Sequence, residues 1–171
     1  MKRMGLAVSA TLAMGALMAC IVLALETQSA AGRPAQVPSA GKAAELATAV
    51  QIEPEVLAKL LQGSKTGTKP VVLHVGFKNF YDQARIPGSY YAGPGFRPEG
   101  LELLRQRVAS LQPEQLIVLY CGCCPWDKCP NVKPAYDVLH AMGFTNVKVV
   151  HIAENFGANW MNAGLPTTKA H

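Results

Sequence analysis

The run Leu116-Ile117-Val118-Leu119-Tyr120-Cys121-Gly122-Cys123-Cys124-Pro125-Trp126-Asp127-Lys128-Cys129-Pro130-Asn131 joins a short apolar segment to a loop that holds four of the chain's five cysteines. An unbroken apolar run bounded by turn residues is the mark of a strand covered on both faces. From Val132 to Met142 the spacing becomes helical, and Gly143 ends it. Strand, loop and helix in this order predict one unit of a parallel sheet, in which ligands bind outside the carboxyl ends of the strands. Cys121 falls at that place.

Working outward, Val71–Val75 and Val147–Val150 read as further buried strands. Pro54 opens a helix that ends near Gly63 and turns Leu57, Leu60 and Leu61 inward. A short helix over Lys78–Gln83 leads to the turn Ile86-Pro87-Gly88-Ser89. A helix from Pro98 to Leu111 buries Leu101, Leu104 and Val108, and a last helix carries Phe156 and Trp160 before Gly164-Leu165-Pro166. The alternation predicts the α/β class: a central, mostly parallel sheet with helices on both faces.

The 171 residues are 50% hydrophobic and 16% charged, which suits one ordinary domain and excludes a disordered or fibrous chain. Part of the apolar excess is local. Lys2-Arg3, the uncharged run Met4–Leu25 and the small residues Ser29-Ala30-Ala31 read as a secretory signal. The run is also long enough for an uncleaved signal anchor at ~1.5 Å per residue, and Leu17-Met18-Ala19-Cys20 approximates a lipoprotein site. Each outcome predicts a periplasmic or otherwise extracytoplasmic protein, inner-membrane anchored if residues 4–25 stay attached. The expected organisation is a leader over 1–31, a flexible tether over 32–48 rich in Pro and small residues, and a domain over 49–171. The net charge of +5 is scattered without a basic run, which argues against nucleic acid as a partner.

A cysteine between a strand end and a helix start meets backbone N–H groups and the positive end of the helix dipole, which favour its thiolate. The same amides can cradle a small anion. Pro125 and Pro130 offer no N–H, so the cradle falls to Gly122, Cys123, Cys124, Trp126, Asp127, Lys128 and Cys129. Lys128 is the cation of this loop. Trp126 reads either as a pocket wall or as cover for the loop's own backbone, and Asp127 as a helix cap. His74 and Trp160 read as packed core residues, and Arg85 as a surface residue or an attractor of anions.

Over residues 50–169 the chain resembles a rhodanese-like domain. The resemblance rests on the strand Val71–Val75, the turn Ile86-Pro87-Gly88-Ser89, the strand Ile117–Cys121 with its loop and helix, and Trp160 followed by Gly164-Leu165-Pro166. It implies a sulfurtransferase in which Cys121 takes sulfur from a sulfane donor such as thiosulfate, becomes a persulfide, and yields the sulfur to a thiophilic acceptor. The implied partners are a small sulfur-containing anion and a thiol acceptor, and no cofactor is called for. The chain departs from the family at His74 and Gly76, at Arg85 before Ile-Pro-Gly, at Asn155-Phe156, and in its cysteine-rich loop. Without an arginine in that loop, the phosphatase chemistry known on this fold is not expected.

The additional cysteines leave three readings open. Cys123 or Cys124 bridges to Cys129 as a structural disulfide, or Cys123, Cys124 or Cys129 resolves an intermediate on Cys121 by thiol–disulfide exchange. In the third, Cys121, Cys123, Cys124 and Cys129 bind zinc or cuprous copper. Rival functions are therefore a thiol–disulfide exchanger, a metal-binding module, and a noncatalytic interaction domain.

Overall fold

The computed structural model describes residues 41–63 and 69–169. The leader over 1–31 and the tether as far as residue 40 lie outside them. No helix among the described residues is long and apolar enough to cross a membrane.

The elements run β1 (Gln51–Ile52), α1 (Pro54–Gly63), β2 (Val71–His74), α2 (Lys78–Gln83), β3 (Tyr90–Tyr91), α3 (Pro98–Val108), β4 (Ile117–Tyr120), α4 (Val132–Ala141) and β5 (Val147–Val150). The strands form one sheet of order β1-β5-β4-β2-β3, and every pairing is parallel. Its central strand is β4, with all four residues buried. The two-residue strands β1 and β3 close the edges; they are too short for an alternation pattern, and the sequence did not reveal them.

Period-two alternation sorts the sheet onto two faces. Leu73, Ile117, Leu119, Val147 and Val149 pack with Leu101, Leu104 and Val108 of α3 and with Val132, Ala135, Val138 and Leu139 of α4. Val72, Val118, Tyr120 and Val150 point the other way, toward Leu57 and Ala58 of α1, Ile86, Phe156 and Trp160. The α/β fold with covering on both faces is therefore as expected.

Three local readings change. Leu60 is 42% exposed, because Leu57 and Ala58 already fill the contact of α1 with the sheet. The helix α3 stops at Val108, short of Leu111. The last helix is a single π turn, Gly157–Met161, whose Trp160 is fully buried and donates its indole N–H to the Pro166 carbonyl at 2.9 Å.

Residues 43–50, read as the end of the tether and the approach to β1, instead form two 3-10 turns, Ala43–Glu45 and Thr48–Val50. Ala43 is fully buried, and its amide donates to the Cys129 carbonyl at 3.1 Å. Small apolar residues here let the backbone lie close against the cysteine loop.

Candidate active site

The order of the strands sets the position of the site. After β2 the chain passes outward to β3, and after β4 it passes the opposite way to β5, so the carboxyl ends of β2 and β4 flank the switch point where open α/β sheets bind ligands. His74 ends β2 in register with Tyr120, the residue before Cys121. Gly76 follows; a Cβ there would stand 2.9 Å from Cys121 Sγ and 3.0 Å from the His74 ring, so a residue without a side chain leaves room for the sulfur. Tyr120 fixes the neighbouring turn: its hydroxyl accepts the Ile86 amide at 3.3 Å and lies 3.0 Å from the Ser89 hydroxyl.

Gly122 turns the chain directly after the strand. Its φ of +82° lies in the left-handed region, and a Cβ would approach Phe156 Cβ to 2.7 Å. Cys123 Sγ consequently returns to 3.1 Å from Cys121 Sγ, and Cys124 Sγ follows at 3.5 Å from Cys123. All four loop cysteines stand as free thiols in the structure, where one of the three readings put a disulfide between Cys123 or Cys124 and Cys129. Among the described residues no group of three or more His, Cys, Asp or Glu is arranged to hold a metal ion. The physical reason lies in the packing, since four thiolates at ~2.3 Å from a tetrahedral ion stand about 3.8 Å apart, wider than the 3.1 and 3.5 Å separations here.

Three of the seven amides expected to form an anion cradle are already bonded: Trp126 N–H donates to Ala153 beyond β5, Lys128 N–H to Pro125 and Cys129 N–H to Trp126, within a 3-10 turn over Trp126–Lys128. Asp127 and Lys128 are exposed, and Asn131, not Asp127, stands at the N-cap position of α4, its side chain making no capping hydrogen bond. Trp126 packs edge-on against His151 with ring centres 5.0 Å apart. What the loop folds around is a sulfur of its own. The thiols of Cys121 and Cys123, then the backbone N–H groups of Asn131 and Val132 at the start of α4, pull the Cys129 thiol down to about 3 against the opposition of burial.

The other three sulfurs move the opposite way. Hydrogen bonding to Cys123, then to Cys129, together with burial, holds the Cys121 thiol well above its ordinary range. At Cys123 the hydrogen bond from Cys121 pulls down, and the one to Cys129 with burial outweighs it. Burial, followed by the Cys129 charge, raises Cys124. The cluster thus carries its negative charge on Cys129, whereas the sequence placed the thiolate on Cys121.

Asn131 was missed as a site residue. It is completely buried, accepts the Phe96 amide on Oδ1 at 3.4 Å, and thereby directs Nδ2 toward Cys121 Sγ at 3.4 Å and Cys123 Sγ at 3.6 Å. The available signal was an amide side chain next to a helix start two residues beyond Cys129. His74, read as packed core, is 2% exposed and held down to about 4 by burial, and its Nδ1 has no partner. The ring is a neutral imidazole caged by Tyr81, Tyr91 and Tyr120.

A cleft of about 390 Å³ opens onto this cluster, lined by His74, Phe80, Gln83, Ala84, Cys121, Gly122, Cys123, Asn155, Phe156, Gly157 and Met161. Among the described residues, no lysine or arginine lines it. Arg85 stands outside, its guanidinium 4.8 Å over the Tyr81 ring. Cys124 and Cys129 sit behind, around a small hollow with Trp126 and Ile152. A larger groove of about 530 Å³ runs between Ala58, Leu61, Val71, Pro87 and Tyr90, and its lining contains neither cysteine nor histidine.

A parallel sheet covered on both faces, with a cysteine at the carboxyl end of its central strand, defines the class of the molecule. The particular fold is rhodanese-like. No family model matches the chain, and no curated protein matches it. Among solved structures, it is similar to the Alr3790 protein from Anabaena sp., at a TM-score of 0.54 and 20% identity, over 70% of this chain and 92% of that one. The solution structure of the rhodanese-like domain of the same protein gives 0.51 and 21%, over 70% and 79%. Thiosulfate sulfurtransferase from Pseudomonas aeruginosa aligns at 0.52 and 20%, over 71% of this chain and 20% of that one. The anaerobic ergothioneine biosynthesis enzyme from Chlorobium limicola, in complex with trimethyl histidine, aligns at 0.51 and 23%, over 70% and 28%.

Proposed function

We propose that the chain is an exported sulfurtransferase that carries sulfane sulfur as a persulfide on Cys121. The observation supporting this most directly is the place of Cys121 at the floor of the cleft, just past the central strand, with the Asn131 amide on its sulfur. Cys121 loses its proton to solvent in the cleft, the resulting thiolate attacks the outer sulfur of the donor, and the donor leaves as a thiolate or sulfite. Asn131 Nδ2 supplies a hydrogen bond to the sulfur on which charge develops. Solved structures of this fold include a thiosulfate sulfurtransferase, which supports the same class of chemistry. Export rests on Lys2-Arg3 and the apolar run Met4–Leu25.

Intact-mass measurement of the reduced protein after exposure to thiosulfate or cysteine persulfide tests the reading. The expected product retains one donor-derived sulfur or shows the thiol oxidation that follows its discharge, and Cys121→Ser shows neither. Unchanged wild-type mass and thiol content with both donors would sink the proposal. Fractionation of the full-length protein tests export, and recovery in the cytosol would refute that part.

A further inference from the structure

The structure assigns Cys123 a role of its own: we propose that it resolves the Cys121 persulfide, so that the site reduces sulfane sulfur to hydrogen sulfide and is left as a Cys121–Cys123 disulfide. This rests on the persulfide reading above and adds a reductive outcome to it.

Four observations carry it. The Cys123 sulfur lies 3.1 Å from Cys121 Sγ, closer than the 3.5 Å that separates Cys123 from Cys124. The positive φ at Gly122 folds the two side chains to one side, and both line the same cleft. The Asn131 amide spans the pair, with Nδ2 at 3.4 Å from one sulfur and 3.6 Å from the other. Finally, Cys121 is 3% exposed while Cys123 is half-buried, so Cys123 already occupies the approach to Cys121 that a bulky acceptor thiol would need.

The chemistry balances in two steps. A donor R–S–SH and the Cys121 thiol give R–SH and Cys121–S–SH. Cys123 then attacks Cys121 Sγ, the sulfur it already touches; the Sγ–Sγ bond forms, the bond to the outer sulfur breaks, and that sulfur leaves with both protons as hydrogen sulfide. The sulfane sulfur is reduced and the two thiols are oxidised to a disulfide. An external dithiol is the reductant that restores the pair.

The test uses the full chain, reduced and freed of small thiols, in a single turnover with thiosulfate and, separately, with cysteine persulfide. Sulfide release, free-thiol count and intact mass are measured, with a no-protein control for each donor. The expected result is one sulfide per protein, loss of two thiols, and a mass lower by two hydrogens. Cleavage after Arg107 and Lys128 should leave that disulfide within the peptide 108–128, which holds Cys121, Cys123 and Cys124, and fragmentation of that peptide should place the bridge between Cys121 and Cys123. The Cys123→Ser protein should keep the added sulfur on Cys121 and release no sulfide.

A wild-type protein that holds a stable persulfide without releasing sulfide overturns the inference and leaves sulfur transfer standing. Sulfane sulfur found on Cys123 overturns it too, making Cys123 a relay. A bridge to Cys124 or Cys129, or full sulfide release by Cys123→Ser, also overturns it. Absence of any uptake or thiol oxidation with both donors defeats the underlying persulfide reading instead.

Discussion

Asn131 holds the Cys121 sulfur by a side-chain hydrogen bond at 3.4 Å while its own oxygen is anchored by the amide of Phe96. The contact joins the residue before α4 to the residue after β4 across the base of the cleft. Since the amide is fully buried, its donor has no water to turn to. Asn131→Ala should slow sulfur uptake by about 10–100-fold, because a hydrogen bond to a charged group is worth ~1.5–3 kcal/mol. Asn131→Asp should be worse near neutral pH, where a carboxylate faces the sulfur, and should recover as the solution is acidified. Single-turnover uptake at two pH values checks both; equal rates in Asn131→Ala and wild type would remove the amide from the mechanism.

Cys129, with its thiol drawn down to about 3, stays a thiolate throughout the working range. Hydrogen bonding to Cys123, then to Cys129, holds the Cys121 thiol well above its ordinary range, so uptake by the wild type should rise about tenfold per unit from roughly pH 6 to 9 without a plateau. Cys129→Ser removes the Cys129 charge and should bring the plateau to lower pH. A wild-type profile flat from roughly pH 5 to 8 would mean that the attacking sulfur is already ionised.

Gly122 is required twice, by its positive φ and by the 2.7 Å approach to Phe156 Cβ. Gly122→Ala should cost about 1–3 kcal/mol of stability, read as a lower urea midpoint at unchanged slope. Gly63→Ala, at a helical position with nothing within 4 Å of the added Cβ, is the comparison that should stay near wild type.

The lining of the cleft holds no cation, so a doubly charged donor meets only dipoles. Thiosulfate should be used less efficiently than cysteine persulfide. Gln83→Arg places a guanidinium in the lining and should raise kcat/KM for thiosulfate by about tenfold, one charge-assisted contact of ~1.4 kcal/mol. Equal improvement for both donors would show that charge is not what limits thiosulfate.

His74 is held down to about 4 from an ordinary 6.5 by burial. The unfolded chain binds the proton first, so the stability this group contributes is complete above pH 6.5 and is lost as pH falls toward 4. The loss is on the order of 3 kcal/mol. His74→Phe keeps the aromatic cage and should flatten this limb in urea melts between pH 7 and 4. An unchanged limb would assign the acid sensitivity elsewhere.

Much of the fold was legible because β4, α3 and α4 each announce their burial in local spacing, and Cys121 follows from β4. The edge strands were not legible: Gln51–Ile52 and Tyr90–Tyr91 are strands through their neighbours' hydrogen bonds, not through any pattern of their own. At the site, the sequence offered seven amides as a cradle, but it could not show that Lys128 and Cys129 satisfy theirs within the loop and Trp126 its own on Ala153. It placed the charge on Cys121 by position alone. The shift to Cys129 depends on four donors, two of them thiols whose approach to it is set by the turn at Gly122. Asn131 escaped notice because an asparagine before a helix has an ordinary capping explanation, and only its anchoring by Phe96, distant in sequence, directs it to the sulfurs.

The bond from the Ala43 amide to the Cys129 carbonyl makes the incoming chain a mechanical part of the loop. Tension applied ahead of Gly41 reaches this bond before it reaches the sheet, and pulls on the same residue that holds the cluster's charge. Whatever displaces Ala43 therefore bears on the backbone of Cys129 through a single hydrogen bond.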